Sequence, residues 1–296
     1  MDLGTIHDFL VLNPKGPIGA DEKDLMILAT VLMLIVVLPV FALTLYFAWH
    51  YRASNTKATY APNWSHSGKI EAVCWLVPFV IVGILGTVCW ISTQRLDPFR
   101  PIASDVKPIE VEVVSLDWKW LFIYPDLKIA SVNELAFPVG TPVHFRITSG
   151  SVMNAFFIPQ LGSQIYTMSA MQTQVNLLAS EAGDYTGFSA NFSGDGFSDM
   201  SFDAKAMSEG DFEGWVKNAR ASKDSLTLAS YRQLAQPSER APVAYYGDIE
   251  PHVFHDVLNQ CADGSLCRDD AMRFASLQET YDGRLALCTP AKPRGL

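Results

Sequence analysis

The stretch "YTGFSANFSGDGFSDM", residues 185–200, has the spacing of a metal loop without the metal chemistry. Serines stand at 189 and 193, a phenylalanine at 197 and a methionine at 200. With Cys, Cys and His at the first three positions, the run would read Cys-x3-Cys-x3-His-x2-Met. Two bridging thiolates, an imidazole and a thioether at that spacing suit a dinuclear copper centre. Here only Met200 offers copper a soft donor. Glu71, in "SGKIEAVCW", is a second candidate, placed directly before a long apolar run. A carboxylate at a helix start is stabilised by the macrodipole, and Ser67 is placed to cap that helix. Of the five cysteines, Cys74 and Cys89 lie in the same apolar run and read as packing residues. Cys261, Cys267 and Cys288 lie near the C-terminus. An oxidising compartment permits a bridge, the short gap favours Cys261 with Cys267, and one thiol is left over. His252 and His255 read as an exposed pair on a short helix.

The elements that must position these residues begin with two apolar runs. Leu25 to Trp49 and Ala72 to Thr93 contain no charged side chain. At about 1.5 Å rise per residue, each crosses a hydrocarbon core of roughly 30 Å. Pro39 and Pro78 fall inside the runs, which membrane helices tolerate better than soluble ones. The loop from Tyr51 to Ile70 carries Arg52, Lys57 and Lys69 and no acid. The tail before the first run carries Asp2, Asp8, Asp21, Glu22 and Asp24 against Lys15 and Lys23. Basic loops stay inside, so the loop is expected in the cytoplasm. The N-terminal tail (1–24) and everything after Arg95 are then outside, which in a bacterium is the periplasm. The tail has no basic n-region, and its apolar patch from Phe9 to Leu12 is too short for a signal peptide. A net charge of −9 argues against a nucleic-acid partner.

Past residue 100 the texture changes. "IEVEVVSL" (109–116) begins in alternation and "VHFRITS" (143–149) alternates throughout. "TQVNLL", "YTGFSA" and "MSFDAKA" are further short runs, separated by Gly and Pro. This pattern predicts an all-β Greek-key domain over about 97–207. From 208 to 296 it turns helical. Ser208 is placed to cap a helix with Phe212, Trp215 and Ala219 on one face. "LTLASYRQLA" and "PHVFHDVLNQ" read as two more short helices, and the last thirty residues are weakly patterned.

Together these features resemble subunit II of the haem–copper respiratory oxidases. "VMNAFFIPQLGSQIYTMSAMQTQ" (152–174) is similar to the family segment that carries the first copper histidine. "SLDWKWLFIYP" (115–125) resembles its aromatic stretch, and "YAPNWSHSGKIEAVCWLVP" (60–78) the start of its second span. The match covers about residues 10–220. It implies a membrane-anchored fold: a two-helix transmembrane hairpin (25–95, spans about 25–49 and 72–93), a cupredoxin-like domain and a short helical C-terminal extension. In the cytochrome c oxidase branch, the first copper histidine would fall at Asn154 and the two cysteines at Ser189 and Ser193. The carbonyl ligand would fall at Asn191, the second histidine at Phe197 and the methionine at Met200. Most of these side-chain ligands are missing, as in the ubiquinol oxidase branch of the cytochrome bo type.

The resemblance therefore implies a copper-free subunit of a proton-pumping quinol oxidase in a bacterial inner membrane. Its partners would be the catalytic subunit I, further small membrane subunits and membrane lipid, with ubiquinol reached through subunit I. Haems and one copper would sit in subunit I, and this chain would bind no cofactor. It also implies that Glu71 lies at the mouth of a proton-uptake channel. Gly194 and Gly196 would keep the loop's turn, and Phe197 would fill the metal's former volume. Trp118 and Trp120 read as packing residues, and Met168, Met171 and Met200 as core. Two rival readings use the same residues: a cytochrome c oxidase subunit II with a rearranged copper site, and a membrane-anchored copper chaperone-like module. The lost ligands oppose the first, and the long matches outside the loop oppose the second.

Overall fold

The computed structural model describes residues 10–59 and 63–274 and divides the chain into two compact units. Residues 20–100 form one unit. Its helices are α1 (Pro17–His50) and α2 (Gly68–Arg95), and both outrun their apolar stretches. At 34 and 28 residues, they are about 50 and 40 Å long. Pro17 explains the early start of α1, because its fixed φ suits a first helical turn and its missing N–H is not needed there. Pro39 and Pro78 lie inside the helices. Among the described residues, no side chain of the apolar windows is buried, so much of each helix surface is left for lipid or another protein.

The second unit joins residues 10–19 to the chain from Pro101 onwards. The short N-terminal segment is thus fastened to the β domain, whereas residues 1–9 of the expected tail lie outside the described residues. The Lys15 N–H donates to the Gln160 carbonyl at 2.7 Å, and the Ser180 N–H to the Lys15 carbonyl at 2.7 Å.

Ten strands build the sandwich: β1 (Ile109–Leu116), β2 (Lys119–Tyr124), β3 (Ile129–Val132), β4 (Glu134–Pro138), β5 (Val143–Ser149), β6 (Asn154–Phe157), β7 (Ile165–Thr167), β8 (Thr173–Leu177), β9 (Gly183–Ser189) and β10 (Ser201–Met207). One sheet runs β3-β2-β1-β5-β8 and the other β4-β10-β9-β6-β7. The pairs β1–β5 and β4–β10 are parallel, which gives the crossed connections of a cupredoxin-like Greek key. Trp120, Phe122, Phe145, Phe156 and Phe202 fill the space between the sheets. Phe156 stacks on Phe202 with centroids 5.3 Å apart. Gly187 is required beside them, because a Cβ there would enter the Phe202 ring.

The extension holds the expected helices and three strands besides. These are α3 (Glu209–Arg220), β11 (Ser225–Leu226), α4 (Leu228–Leu234), β12 (Ala244–Tyr246), β13 (Asp248–Ile249) and α5 (Val253–Leu258). Ser208 caps α3, accepting from the Asp211 N–H. Phe212, Trp215 and Ala219 are buried as the spacing predicts. Strand β12 pairs with β3 and lengthens the first sheet. Leu226, Tyr231, Val253, Phe254 and Val257 then cover that sheet's outer face, against Val114, Leu116, Leu121 and Ile123. Burial on both faces explains why β2 is apolar nearly throughout and why alternation in β1 stops after Glu112.

Glu134 ties these layers together. Its side chain is 5% exposed and accepts from Lys205 Nζ (2.6 Å), Trp215 Nε1 (2.7 Å) and Tyr245 OH (2.5 Å). These donors come from β10, α3 and β12. Burial works to raise the Glu134 pKa, but the three donors outweigh it and hold the carboxyl below its ordinary value. The stability it contributes is present above the ordinary carboxylate pKa and is lost as pH falls through the lowered one. Glu134→Leu is expected to destabilise the domain by about 1–3 kcal/mol, because the buried Trp215 indole N–H would be left without its acceptor. Thermal unfolding of the intact chain in detergent at pH 7 checks this; an unchanged melting temperature would remove Glu134 from its structural role.

Candidate functional site

The loop at 190–200 connects β9 to β10, whose antiparallel pairing sets Phe188 opposite Ser201. The Ser189 N–H donates to the Met200 carbonyl (3.1 Å), and the Ala190 N–H to the Ala155 carbonyl (3.0 Å) on β6. Strand β6 starts at Asn154. The positions singled out in the sequence, 35 residues apart at the extremes of one hydrogen bond, therefore gather at one end of the sandwich. Asn154, Ser189 and Met200 are buried, whereas Asn191, Ser193 and Phe197 are half-buried. Of the other methionines read as core, Met168 is half-buried and Met171 exposed.

The polar groups at these positions bind one another. Ser189 Oγ donates to Asn154 Oδ1 at 2.9 Å and also lies 3.2 Å from the Asn191 carbonyl. Asn154 Nδ2 donates to the Val152 carbonyl (3.3 Å) and Asn191 Nδ2 to the Met153 carbonyl (3.1 Å). Ser193 Oγ lies 3.9 Å from Met200 Sδ. Phe197 meets Phe192 edge to face, with centroids 5.6 Å apart. Two hydroxyls, an amide and a phenyl ring around one thioether do not fit dinuclear copper, which needs thiolate and imidazole donors. The residues present do not suit that metal.

Trp118 supports the loop from below. Its indole N–H donates to the Ser193 carbonyl at 3.1 Å. A Cβ on Gly196 would sit 2.5 Å from the ring, so glycine lets the loop lie flat against it. Gly194 takes φ +110°, which a side chain would resist. The extension holds the same region. Lys119 Nζ donates to the Gln236 carbonyl at 2.7 Å and to Ser238 Oγ, and burial pushes its pKa down. Asn133 Nδ2 donates to the Ala241 carbonyl (2.8 Å), and Arg240 pairs with Asp199 of the loop (3.0 Å). These braces were not visible in the sequence, because their acceptors are mostly backbone carbonyls from a segment over a hundred residues away.

Glu71 stands in the first turn of α2. Ser67 occupies the N-cap, but its side chain makes no cap bond; its carbonyl accepts from the Glu71 N–H at 3.0 Å. Glu71 Oε2 instead lies 3.1 Å from His66 Nδ1, and both side chains are more than half exposed. Cys261 and Cys267 are joined as a disulfide, with Cα atoms 4.7 Å apart, and Cys288 lies outside the described residues. Cys74 and Cys89 are exposed on α2 rather than packed in a core. His255 reaches Asp256 (3.2 Å) and Asp269 (3.0 Å), so the histidine pair is engaged on one side.

A cleft of about 560 Å³ opens between the first sheet and α5. At its floor Arg146 bridges Glu110 (3.1 Å) and Glu112 (3.0 Å) and lies over the Phe254 ring. Burial pushes the Glu112 pKa up to about 7, against the pull of Arg146 and with the help of Glu110. A raised carboxyl pKa means the folded state holds the proton more tightly. The resulting stabilisation is full below the ordinary value of 4.5 and is lost as pH rises through about 7.

Glu112→Gln should flatten the fall in stability between pH 5 and 8 by about 1–3 kcal/mol, read by denaturant unfolding at both pH values; an unaltered slope would assign the titration elsewhere. Phe197→His alone should not create a copper site, since one imidazole and one thioether lack the bridging thiolates. Tight, stoichiometric copper uptake by that variant would overturn the donor-set argument.

Residues 220–265 match the family model described as the COX Aromatic Rich Motif, so the extension carries a recognisable module that the sequence pattern alone left unread. The chain is 56% identical over 253 residues to the cytochrome bo(3) ubiquinol oxidase subunit 2 of Pseudomonas aeruginosa, covering 86% of this chain and 76% of the relative. It is 49% identical over 272 residues to the ubiquinol oxidase subunit 2 of Acetobacter aceti, covering 91% and 88%. Among solved structures, the periplasmic domain of cytochrome oxidase subunit II from Bradyrhizobium japonicum aligns with 40% of this chain and 96% of its own. Its identity is 20% and its TM-score 0.37.

Proposed function

This chain belongs to the ubiquinol oxidase subunit 2 family, and from that membership we propose that it is the non-catalytic subunit II of a quinol-oxidising, oxygen-reducing, proton-pumping complex. It is a membrane-anchored subunit of an oxidoreductase. In this reading the hairpin lies in the bacterial inner membrane, the loop 51–70 faces the cytoplasm and the β domain faces the periplasm. The basic loop and the acidic N-terminal tail support that orientation. The redox chemistry belongs to subunit I, which would hold the haems and a copper of its own.

The observation that carries the reading is the donor set at 154, 189, 193, 197 and 200. Ubiquinol is a lipid-soluble donor and reaches subunit I from within the bilayer. A soluble donor such as cytochrome c would need an electron relay in the outer domain. Here the relay's ligand positions are filled by side chains that bind one another. The domain keeps its sandwich because it covers subunit I, and the same donor set speaks against both copper-bearing rivals.

Glu71 has a separate part. An ionisable group in the first turn of a membrane helix, 3.1 Å from an imidazole, can take a proton from water and release it toward a partner subunit. Glu71→Gln should slow quinol-driven oxygen uptake while the complex still assembles. The purified complex should consume oxygen with ubiquinol and fail with reduced cytochrome c. Turnover with cytochrome c would sink the proposed function; full turnover in Glu71→Gln would remove only the proton role.

A further inference from the structure

The helix pair has a further feature at the end where α1 begins and α2 stops. A cleft of about 190 Å³ lies there, lined by Asp21, Asp24, Leu25, Leu28, Ser92 and Arg95 among others. Arg95 Nη2 pairs with Asp21, 3.0 Å from one carboxylate oxygen and 3.2 Å from the other. Asp24 lines the same cleft, and its carboxylate has no hydrogen-bond or ion-pair partner among the described residues. It immediately precedes the apolar run that starts at Leu25, and Arg95 stands just beyond the run that ends at Thr93. Both charges thus mark the same edge of the hydrocarbon layer. Leu25 and Leu28 line the same cleft.

Charges at this edge lie at the level of lipid headgroups, which can supply their counter-charges. Asp24 calls for a cation with N–H donors. Arg95 is 68% exposed and keeps N–H groups beyond the one that holds Asp21, which suit a phosphate. Leu25 and Leu28 suit the start of an acyl chain. We propose that this cleft is a headgroup site for a phospholipid carrying a primary amine next to its phosphate, the phosphatidylethanolamine class. The amine would bind Asp24 and the phosphate Arg95. Two carboxylates against one guanidinium leave the cleft net negative, which disfavours a net anionic lipid such as phosphatidylglycerol. A choline headgroup has no N–H to give Asp24.

The test uses the membrane complex purified through this chain. It is reconstituted in nanodiscs of equal phosphatidylethanolamine, phosphatidylcholine and phosphatidylglycerol, then stripped with mild detergent. Native mass spectrometry counts the retained lipids and confirms that all subunits are present. Wild type should retain phosphatidylethanolamine over phosphatidylcholine by about tenfold at one site per chain, the worth of one charge-assisted hydrogen bond. Asp24→Asn and Arg95→Gln should each lose that one lipid per chain, and Asp24→Glu should keep it. Equal retention in wild type and both variants would overturn the proposal, as would preferential retention of phosphatidylglycerol. If Asp24→Asn fails to assemble, the wild-type lipid ratio and Arg95→Gln still decide.

Discussion

A carboxylate buried in a protein interior is costly by several kcal/mol unless its charge and lone pairs are matched. Glu134 meets that condition with three donors from three different elements, Lys205, Trp215 and Tyr245. The sandwich and its C-terminal extension are thereby locked at a common point, since none of the three donors can withdraw without stranding the acid. The apolar cover of the first sheet's outer face adds area to that lock. With the extension in place, the segment at 236–241 runs where Lys119, Asn133 and Asp199 can be reached by it.

That arrangement bears on the loop at 190–200. Metal ligation fixes a loop by several strong bonds, and a loop without such bonds needs other constraints. Here the constraints are an indole hydrogen bond, two glycines against the indole face, a Ser189–Asn154 bond and an ion pair from Arg240. Each is modest, and together they join the loop to β6, to Trp118 and to the extension. These contacts hold the loop in place between β9 and β10. Copper binding here would have to break this hydrogen-bond set as well as supply thiolate and imidazole ligands.

Much of this was legible in the sequence. The uncharged runs, the alternation in "VHFRITS" and the helical face of Phe212, Trp215 and Ala219 depend on local periodicity, which a single sequence carries. The candidate loop was legible for a different reason: residues 189, 193, 197 and 200 have the spacing of a copper loop even without thiolate or imidazole side chains. The gathering of Asn154 with Ser189 followed from resemblance and not from any local pattern. What stayed hidden was tertiary. Glu134 reads as an ordinary acid before an apolar strand, and nothing near it announces three donors from 71 to 111 residues away. Likewise the strands of the extension are two or three residues long, too short for periodicity to register. The two-sided burial of β2 became intelligible only once its cover was placed.

Two separate properties are at stake: membership of a quinol oxidase as subunit II, and an outer domain proposed to carry no electrons. The second is the more exposed to refutation, since it rests on side-chain chemistry at five positions. Metal analysis of the purified intact complex tests it most directly. The account predicts a single copper per complex, belonging to subunit I. Three coppers per complex, with two of them lost on removal of this chain, would contradict it and return the loop at 185–200 to the metal-binding class.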